Sequence, residues 1–493
     1  QAFRKIQHLP LASFGKISKG ELIQRCTGDI DTLKKFLQNQ LITLLRLGGL
    51  IFFAFTMMCL IHWPYALIST ALTPVLALVG YWFFQKEGKI WEIHEAEADK
   101  VNTMVQENLN NIRLVSAFAR EEYEKKRFDQ QNQSKKAIGF RHERLHSIYW
   151  PSTDLLVFIQ VTISIFVGGY LVMKGQITLG EFISFNAYAN MVAWPMRQSG
   201  QVISEMGMAR VALQRFSEIM NSPEEKDPGQ RMTSHLQGLI EFRNVTFKYP
   251  YTEGAPTLQD VSFRVKAGQK LAIIGPTGAG KSTIAKLLLG FYPIDKGEIL
   301  LDGYPLESYS KKFLREKIGI ALQKAFLFSR SIEDNMRYAQ PQASSEKVES
   351  VARIAQAYKM KHIFPEGFST LVGEKGVTLS GGQKQRVALA RTILTEPDIL
   401  IMDDITSALD TETESALLKA LEAPSENKTQ IMISHRFTSV KDADQIIVLE
   451  KGKVIQQGSP EDLLKVEGYF RDIHQVQTSV EQEIEKDVSS ILK

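Results

Sequence analysis

Between Asn39 and Gln85 only Arg46 carries a charge, so forty-seven residues pass with a single ionised side chain. A helix that crosses a bilayer needs roughly 20 mainly apolar residues, and this run is long enough for two. His62-Trp63-Pro64 supplies a helix break, which predicts spans over about 39–61 and 65–84. A second stretch, Ile148 to Gln198, carries only Asp154, Lys174, Glu181 and Arg197, and breaks at Met173-Lys174-Gly175-Gln176; it predicts two more. A buried hairpin of a soluble helical bundle would show the same apolarity. Aromatic residues at the edges, Trp63, Tyr81, Trp82 and Trp150, favour the membrane.

The loops set the orientation. Residues 86–147 hold twelve Lys and Arg, against none in the first hairpin turn and Lys174 in the second, so that segment is expected to be cytoplasmic. It contains few helix breakers and is expected to continue the helices past the bilayer. A net charge of +4 on 493 residues is too small for a nucleic-acid binder. Cys26 and Cys59 are too few for a disulfide framework or a four-ligand zinc site and read as inert thiols. After Met220 a polar, Pro- and Gly-bearing linker begins. From Gly238 short Val/Ile/Leu-rich strands, among them 270–274, 299–301, 399–402 and 430–433, alternate with helical stretches, the pattern of an α/β domain. The expected division is a transmembrane domain over 1–220, a linker over 221–237, an α/β domain over 238–475 and a charged tail over 476–493.

The strongest chemical signal follows Ile273-Ile274, where an apolar strand runs into Gly275-Pro276-Thr277-Gly278-Ala279-Gly280-Lys281-Ser282-Thr283 and then a helical stretch. This is the phosphate-loop pattern in its required strand-to-helix setting. Glycines allow backbone N–H groups to curl round a β-phosphate, Lys281 neutralises β and γ oxygens, and Ser282 offers a hydroxyl to Mg²⁺. The strand Ile399-Leu400-Ile401-Met402 delivers Asp403 at its carboxyl end, where open α/β sheets bind ligands. An aspartate in that place is often a loop residue or a helix cap; beside a phosphate loop it suits a magnesium carboxylate.

Leu379-Ser380-Gly381-Gly382-Gln383 then resembles the signature motif of the ATP-binding cassette (ABC) exporters, and its neighbours agree. Gln323 stands where the family has its Q-loop, Tyr249 matches the adenine-stacking aromatic, Ser407-Ala408-Leu409-Asp410 the D-loop, and His435 the switch histidine. Thr370 to Gly376 resembles the exporter segment that touches the partner's intracellular helices. Phe14 to Asp31 is similar to the stretch between the second and third spans, and Asn111 to Glu122 to the second coupling-helix region. The resemblance implies a type I exporter: an α-helical transmembrane bundle, of which four of six spans are expected here and the first two are missing, fused to an α/β P-loop nucleotide-binding domain. It further implies ATP and Mg²⁺ as cofactors, a second half-transporter as partner, and a multi-pass place in a membrane, expected to be bacterial, with the nucleotide domain in the cytoplasm. No nucleic-acid partner is implied.

By the same resemblance Ser282, Gln323 and Asp403 would hold the metal. Tyr249 and the phosphate loop, together with Ser380, Gly381, Gly382 and Gln383 of the opposite chain, would hold the nucleotide. His435 would hold γ-phosphate and attacking water, with Gln323 sensing the metal. One position departs from the pattern: where most members carry a glutamate as general base, this chain has Asp404. Its carboxylate is shorter in reach by one C–C bond, about 1.5 Å, and base catalysis is decided by reach before pKa. That departure implies a heterodimer in which this chain's own site hydrolyses poorly while its intact signature serves the partner's site; the alternatives are a mainly regulatory nucleotide-binding half of a lipid or peptide exporter, and a homodimeric exporter with Asp404 as a slow base. For the substrate, expected to be a hydrophobic or amphipathic compound of the multidrug type or a lipid, Gln160, Thr162, Ser164, Asn186 and Asn190, with Phe185, Trp194 and Met196, are candidate cavity residues. Each would equally serve packing between spans.

Overall fold

The computed structural model describes residues 2–15, 17, 19–227, 229–373, 376, 378–422 and 428–479, and the chain divides into two compact units. The first, residues 1–7 and 19–222, consists of helices and the turns between them among its described residues. Four long helices dominate it: Leu41–Ser69, Thr73–Asn110, Glu121–Met173 and Leu179–Asn221. At 1.5 Å per residue the third is about 80 Å long, far more than a bilayer requires. Charged residues occupy the excess, so the second and third helices continue beyond the apolar zone. They are joined there by the short helix Ile112–Ala117.

The first chain reversal differs from the expected one. Pro64 does break the helix locally, with His62 at φ −164° and ψ 96°. The His62 ring then accepts the Tyr65 backbone N–H at 3.2 Å, replacing a hydrogen bond that the break removes, and the helix resumes to Ser69. The turn itself lies at Thr70-Ala71-Leu72, and Pro74 sits in the first turn of the next helix, where its missing N–H costs nothing. The expected span 65–84 is therefore shared between two helices. The second long helix has only Thr73 to Gln85 before its first charge, and two helical stretches, Gly20–Ser69 and Glu121–Met173, are by themselves long and apolar enough to cross a membrane.

Within the bundle, polar side chains face one another. Gln160 Nε2 donates to Thr73 Oγ1 at 3.2 Å, the Tyr65 hydroxyl donates to the Ser164 carbonyl at 2.7 Å, and Ser164 Oγ donates to Asn186 Oδ1 at 3.0 Å. Phe185 stacks on Tyr65 with centroids 3.6 Å apart. Outward-facing positions are apolar instead: Phe52 and Phe166 are each 75% exposed. Buried polar contacts and an apolar exterior suit lipid as solvent.

The second unit, residues 8–18 and 223–493, holds two sheets among its described residues. Strands β1 (Ile240–Phe247), β2 (Leu258–Val265), β4 (Lys296–Leu301) and β5 (Tyr304–Pro305) form an antiparallel sheet in the order β2-β1-β4-β5. Strands β3 (Lys270–Ile274), β6 (Ile318–Ala321), β7 (Ile399–Asp403), β8 (Thr429–Ile433), β9 (Gln445–Glu450) and β10 (Lys453–Gly458) form the other, in the order β10-β9-β3-β8-β7-β6. All its pairings are parallel except that of β10 with β9.

Both faces of the parallel sheet are covered, so β7 is buried along its whole length. Its side chains alternate between cores. Ile399 and Ile401 join the one beneath the antiparallel sheet, while Leu400 and Met402 join the core made with the helices Ser345–Ile354, Gly381–Leu394 and Thr411–Glu422. A parallel sheet also aligns strand ends. The carboxyl ends of β3, β8, β7 and β6 emerge side by side, and each leads into a stretch singled out by its sequence.

Candidate nucleotide site

The loop after β3 is built on three glycines at positive φ: Gly275 at 143°, Gly278 at 82° and Gly280 at 102°. A Cβ on Gly275 would lie 2.0 Å from the Leu449 carbonyl oxygen, and one on Gly280 2.7 Å from the Leu258 side chain, whereas one on Gly278 would meet nothing. Two glycines therefore seat the loop on neighbouring strands and the third leaves its concave side clear. The helix Lys281–Leu288 starts directly behind, aiming its N-terminal dipole into the loop. Ala279 anchors the loop in the core beneath the antiparallel sheet, while Thr277 is exposed at its tip.

Lys281 is 7% exposed, and its amine donates to the carbonyls of Gly275 at 2.8 Å and Pro276 at 2.9 Å. Burial lowers its pKa, against the opposing pull of Asp403 and Asp404. Ser282 shares a hydrogen bond with the Asp403 carboxylate, whose pKa burial raises, with Asp404 adding to the rise. A hydroxyl and a carboxylate oxygen thus stand beside a buried amine. Oxygen donors of this kind suit Mg²⁺, and a clear, glycine-lined concavity of N–H groups suits a phosphate, so these residues fit a magnesium nucleotide. Tyr249 packs edge-on against Phe247 and Tyr292, and its hydroxyl lies 3.1 Å from Thr283 Oγ1. That contact fixes the ring beside the helix that follows the loop.

Asp404 follows β7 in the left-handed region, φ 49°, which aspartate tolerates better than most residues. Its N–H donates to the Ile433 carbonyl at 2.8 Å, and its buried carboxylate accepts from Gln323 Nε2 at 2.8 Å. Gln323, just past β6, is thereby joined to the carboxylate beyond β7. His435 lies just past β8; burial and then the positive charge of Lys281 lower its pKa, which keeps the ring neutral near pH 7. Lys281, Asp403, Asp404, Gln323 and His435 are thus gathered at one edge of the parallel sheet.

The signature residues are organised separately. Ser380 caps the helix Gly381–Leu394: its N–H donates to Gln383 Oε1 at 2.8 Å, and its Oγ accepts from the Gln383 N–H at 3.3 Å. Gly382 is tight against the D-loop, where a Cβ would sit 2.8 Å from the Ala408 carbonyl oxygen, and Gly381 lies over the Ala408 methyl. Among the described residues no hydrogen bond joins Ser380, Gly381, Gly382 or Gln383 to the phosphate loop. Of the segment Thr370 to Gly376, Glu374 and Lys375 lie outside the described residues, as does most of the expected tail.

Three connections had no signal in the sequence. Gln385 Nε2 reaches the Gln323 carbonyl at 3.3 Å and Ser407 Oγ at 3.4 Å, linking the signature helix to both loops. Arg436 Nη1 donates to the buried Glu414 at 2.5 Å, tying the switch loop to the helix after the D-loop. Gln477 clamps the switch loop with both ends of one amide: its Nε2 donates to the His435 carbonyl at 3.0 Å and its Oε1 accepts from the Phe437 N–H at 2.7 Å. Only the fold brings these residues within reach.

Of the candidate cavity residues, Gln160, Ser164, Asn186 and Phe185 take part in the interhelical contacts described above. Thr162 Oγ1 bonds back to the Phe158 carbonyl of its own helix at 2.7 Å, and Asn190 Nδ2 to that of Asn186 at 2.9 Å. Met196 is half-buried. The Trp194 side chain lies outside the described residues.

Comparison with known proteins covers both units. Residues 1–196 match the family model of the ABC transporter transmembrane region, and residues 258–407 that of the ABC transporter. The ABC transporter ATP-binding protein YknU of Bacillus subtilis (strain 168) is 35% identical over 477 residues, 96% of this chain and 81% of that protein. The ATP-dependent lipid A-core flippase of Escherichia coli (strain K12) is 33% identical over 478 residues, 96% of this chain and 82% of that protein. A solved structure of a bacterial Atm1-family ABC exporter with ATP bound superposes with a TM-score of 0.79 at 29% identity, covering 97% of this chain and 84% of the other.

Proposed function

From the premise that this chain belongs to the ABC transporters, as an exporter half carrying membrane and ATPase domains on one polypeptide, we propose that it exports hydrophobic or amphipathic compounds as one half of an asymmetric dimer. Family membership fixes the coarse activity, export across a membrane driven by ATP hydrolysis, with the ATPase domain in the cytoplasm. The finer reading rests on Asp404. Its carboxylate occupies the place of the general base, falls about 1.5 Å short of a glutamate and is held by Gln323. A base that cannot reach the attacking water leaves a site that grips nucleotide and cleaves it slowly.

In this reading the phosphate loop holds the nucleotide phosphates, Lys281 balances their charge, and Tyr249 stacks on adenine. Mg²⁺, held by Ser282 and Asp403 with Gln323 nearby, supplies charge neutralisation of the phosphates. His435 stays neutral and presents a ring nitrogen to the γ-phosphate. Ser380, Gly381, Gly382 and Gln383, pre-formed as a helix N-terminus, serve the partner's competent site. Closure of the two ATPase domains is favoured by ATP because only the closed form offers the phosphates both sets of contacts, and the cytoplasmic helical extensions carry that closure to the spans. The Escherichia coli relative, named for a lipid substrate, supports an amphipath as cargo, as do the aromatic and neutral polar side chains of the bundle.

Turnover of the purified chain alone, compared with the co-expressed pair of halves, tests the asymmetry. The pair should hydrolyse ATP at rates stimulated by an amphipathic substrate, and the chain alone should not. Full cooperative turnover by the chain alone, abolished by Asp404→Ala, would overturn the reading in favour of a homodimer.

A further inference from the structure

We propose that Glu87, His142 and His146 form a binding site for a divalent transition-metal ion of the Zn²⁺ class, placed where the second and third long helices leave the apolar zone. His142 and His146 stand four residues apart on one helix, so both rings project from the same face; Glu87 comes from the neighbouring helix. Ligand atoms of the three residues all lie within 4.8 Å of one another. His146 Nε2 is 2.9 Å and His142 Nε2 3.4 Å from the same atom, Glu87 Oε1. A tetrahedral ion with bonds of about 2.0–2.1 Å separates its ligands by about 3.3 Å, so two of the three edges are already near their bound length. His142 Nε2 is buried and makes no hydrogen bond. That buried nitrogen faces a carboxylate oxygen without bonding to it, and a cation seated between the two would satisfy both.

Two imidazoles and a carboxylate are a ligand set for zinc, cobalt or nickel rather than for Mg²⁺ or Ca²⁺, and three protein ligands leave one position open. Residues 142–146 also read His-Glu-Arg-Leu-His, the helical spacing of zinc hydrolases. The Glu143 side chain, however, is 78% exposed and its Oε1 is 3.8 Å from His142 Nδ1, on the far side of that ring. It stands away from the open position, so the site is assigned a bracing role between helices and no hydrolytic one.

Trp150 gives the proposal a distinctive signature. Its indole N–H donates to His146 Nδ1 at 3.1 Å. A neutral His146 therefore carries its proton on Nε2, toward Glu87. Binding an ion at Nε2 moves that proton to Nδ1, where it opposes the indole N–H, so Trp150 must turn away. The indole competes with the ion, and removing its N–H should tighten binding.

The test uses the full-length transporter in detergent, titrated with Co²⁺ and followed by its visible absorption and by tryptophan emission. Expected are one Co²⁺ per chain with a tetrahedral-type spectrum displaced by Zn²⁺, affinity at least tenfold weaker in Glu87→Gln and His142→Ala, and affinity severalfold tighter in Trp150→Phe. Nucleotide binding by each variant reports that it is folded. The proposal is overturned if Co²⁺ binds equally to wild type and to folded Glu87→Gln and His142→Ala, if Trp150→Phe weakens binding, or if no stoichiometric Co²⁺ is retained.

Discussion

Replacing Asp404 by Glu extends its carboxylate by one C–C bond, about 1.5 Å, and under the proposed asymmetry should restore reach to this chain's own site. A misplacement near 1 Å costs roughly 100-fold in rate, equivalent to about 2.7 kcal/mol. Two features oppose full recovery. The residue sits at φ 49°, where glutamate is less at ease than aspartate, which lowers stability more than rate. The carboxylate is also bonded to Gln323, and a longer side chain must re-form that bond from a new position or lose the orientation it gives. Allowing half the gain for these, turnover at this site should rise between about 10-fold and 100-fold. The measurement is ATP hydrolysis by the assembled pair with the partner's phosphate-loop lysine changed to alanine, so that only the site on this chain turns over. Asp404→Asn in the same background should change the slow rate less than about threefold. A rate within twofold of wild type for Asp404→Glu, or a collapse to zero for Asp404→Asn, would refute the argument from reach.

Lys281→Ala removes the only amine of the phosphate loop and should weaken binding of a fluorescent nucleotide at this site at least tenfold, while the pair with an intact partner still turns over; complete loss of turnover contradicts the assigned roles. Gln477→Ala deletes two hydrogen bonds to the switch loop, each worth about 1 kcal/mol. Turnover at the competent position of a chain carrying Asp404→Glu should then fall roughly tenfold with KM for ATP within twofold, and a change in KM alone would make Gln477 a binding residue instead. His435 has a depressed pKa in the folded state, so its contribution to stability is complete above the unfolded value of about 6.5 and is lost as pH falls toward the folded one. Thermal unfolding should therefore show wild type losing more stability than His435→Gln between pH 7 and pH 5, and parallel curves would remove His435 as the cause.

How much of this could be read in advance follows from the range of the interactions involved. The phosphate loop is legible because its chemistry is consecutive: Gly275, Gly278 and Gly280 supply positive φ within six residues, and the strand and helix that frame it adjoin them. The apolar runs are legible because lipid imposes a composition on every residue it touches. The first chain reversal is not legible in the same way, since Pro64 announces a helix break but not its outcome; capping of the Tyr65 N–H by His62 turns a stop into a kink, and Thr70-Ala71-Leu72 makes the turn. Side chains that act through contacts over tens of residues left no trace.

Amino-acid order alone thus marked which half of the chain is apolar enough for a membrane and where a glycine-rich phosphate-loop pattern lies, because both are written within a few turns of backbone. Parallel pairing of β3, β8, β7 and β6 decided that Lys281, His435, Asp404 and Gln323 share one edge. Helix pairing brought Glu87 to His142 and His146, and the last described helical turns put the Gln477 amide on the switch loop. Those meetings depend on how separate elements pack, and packing is a property of surfaces that exist only once the chain has folded.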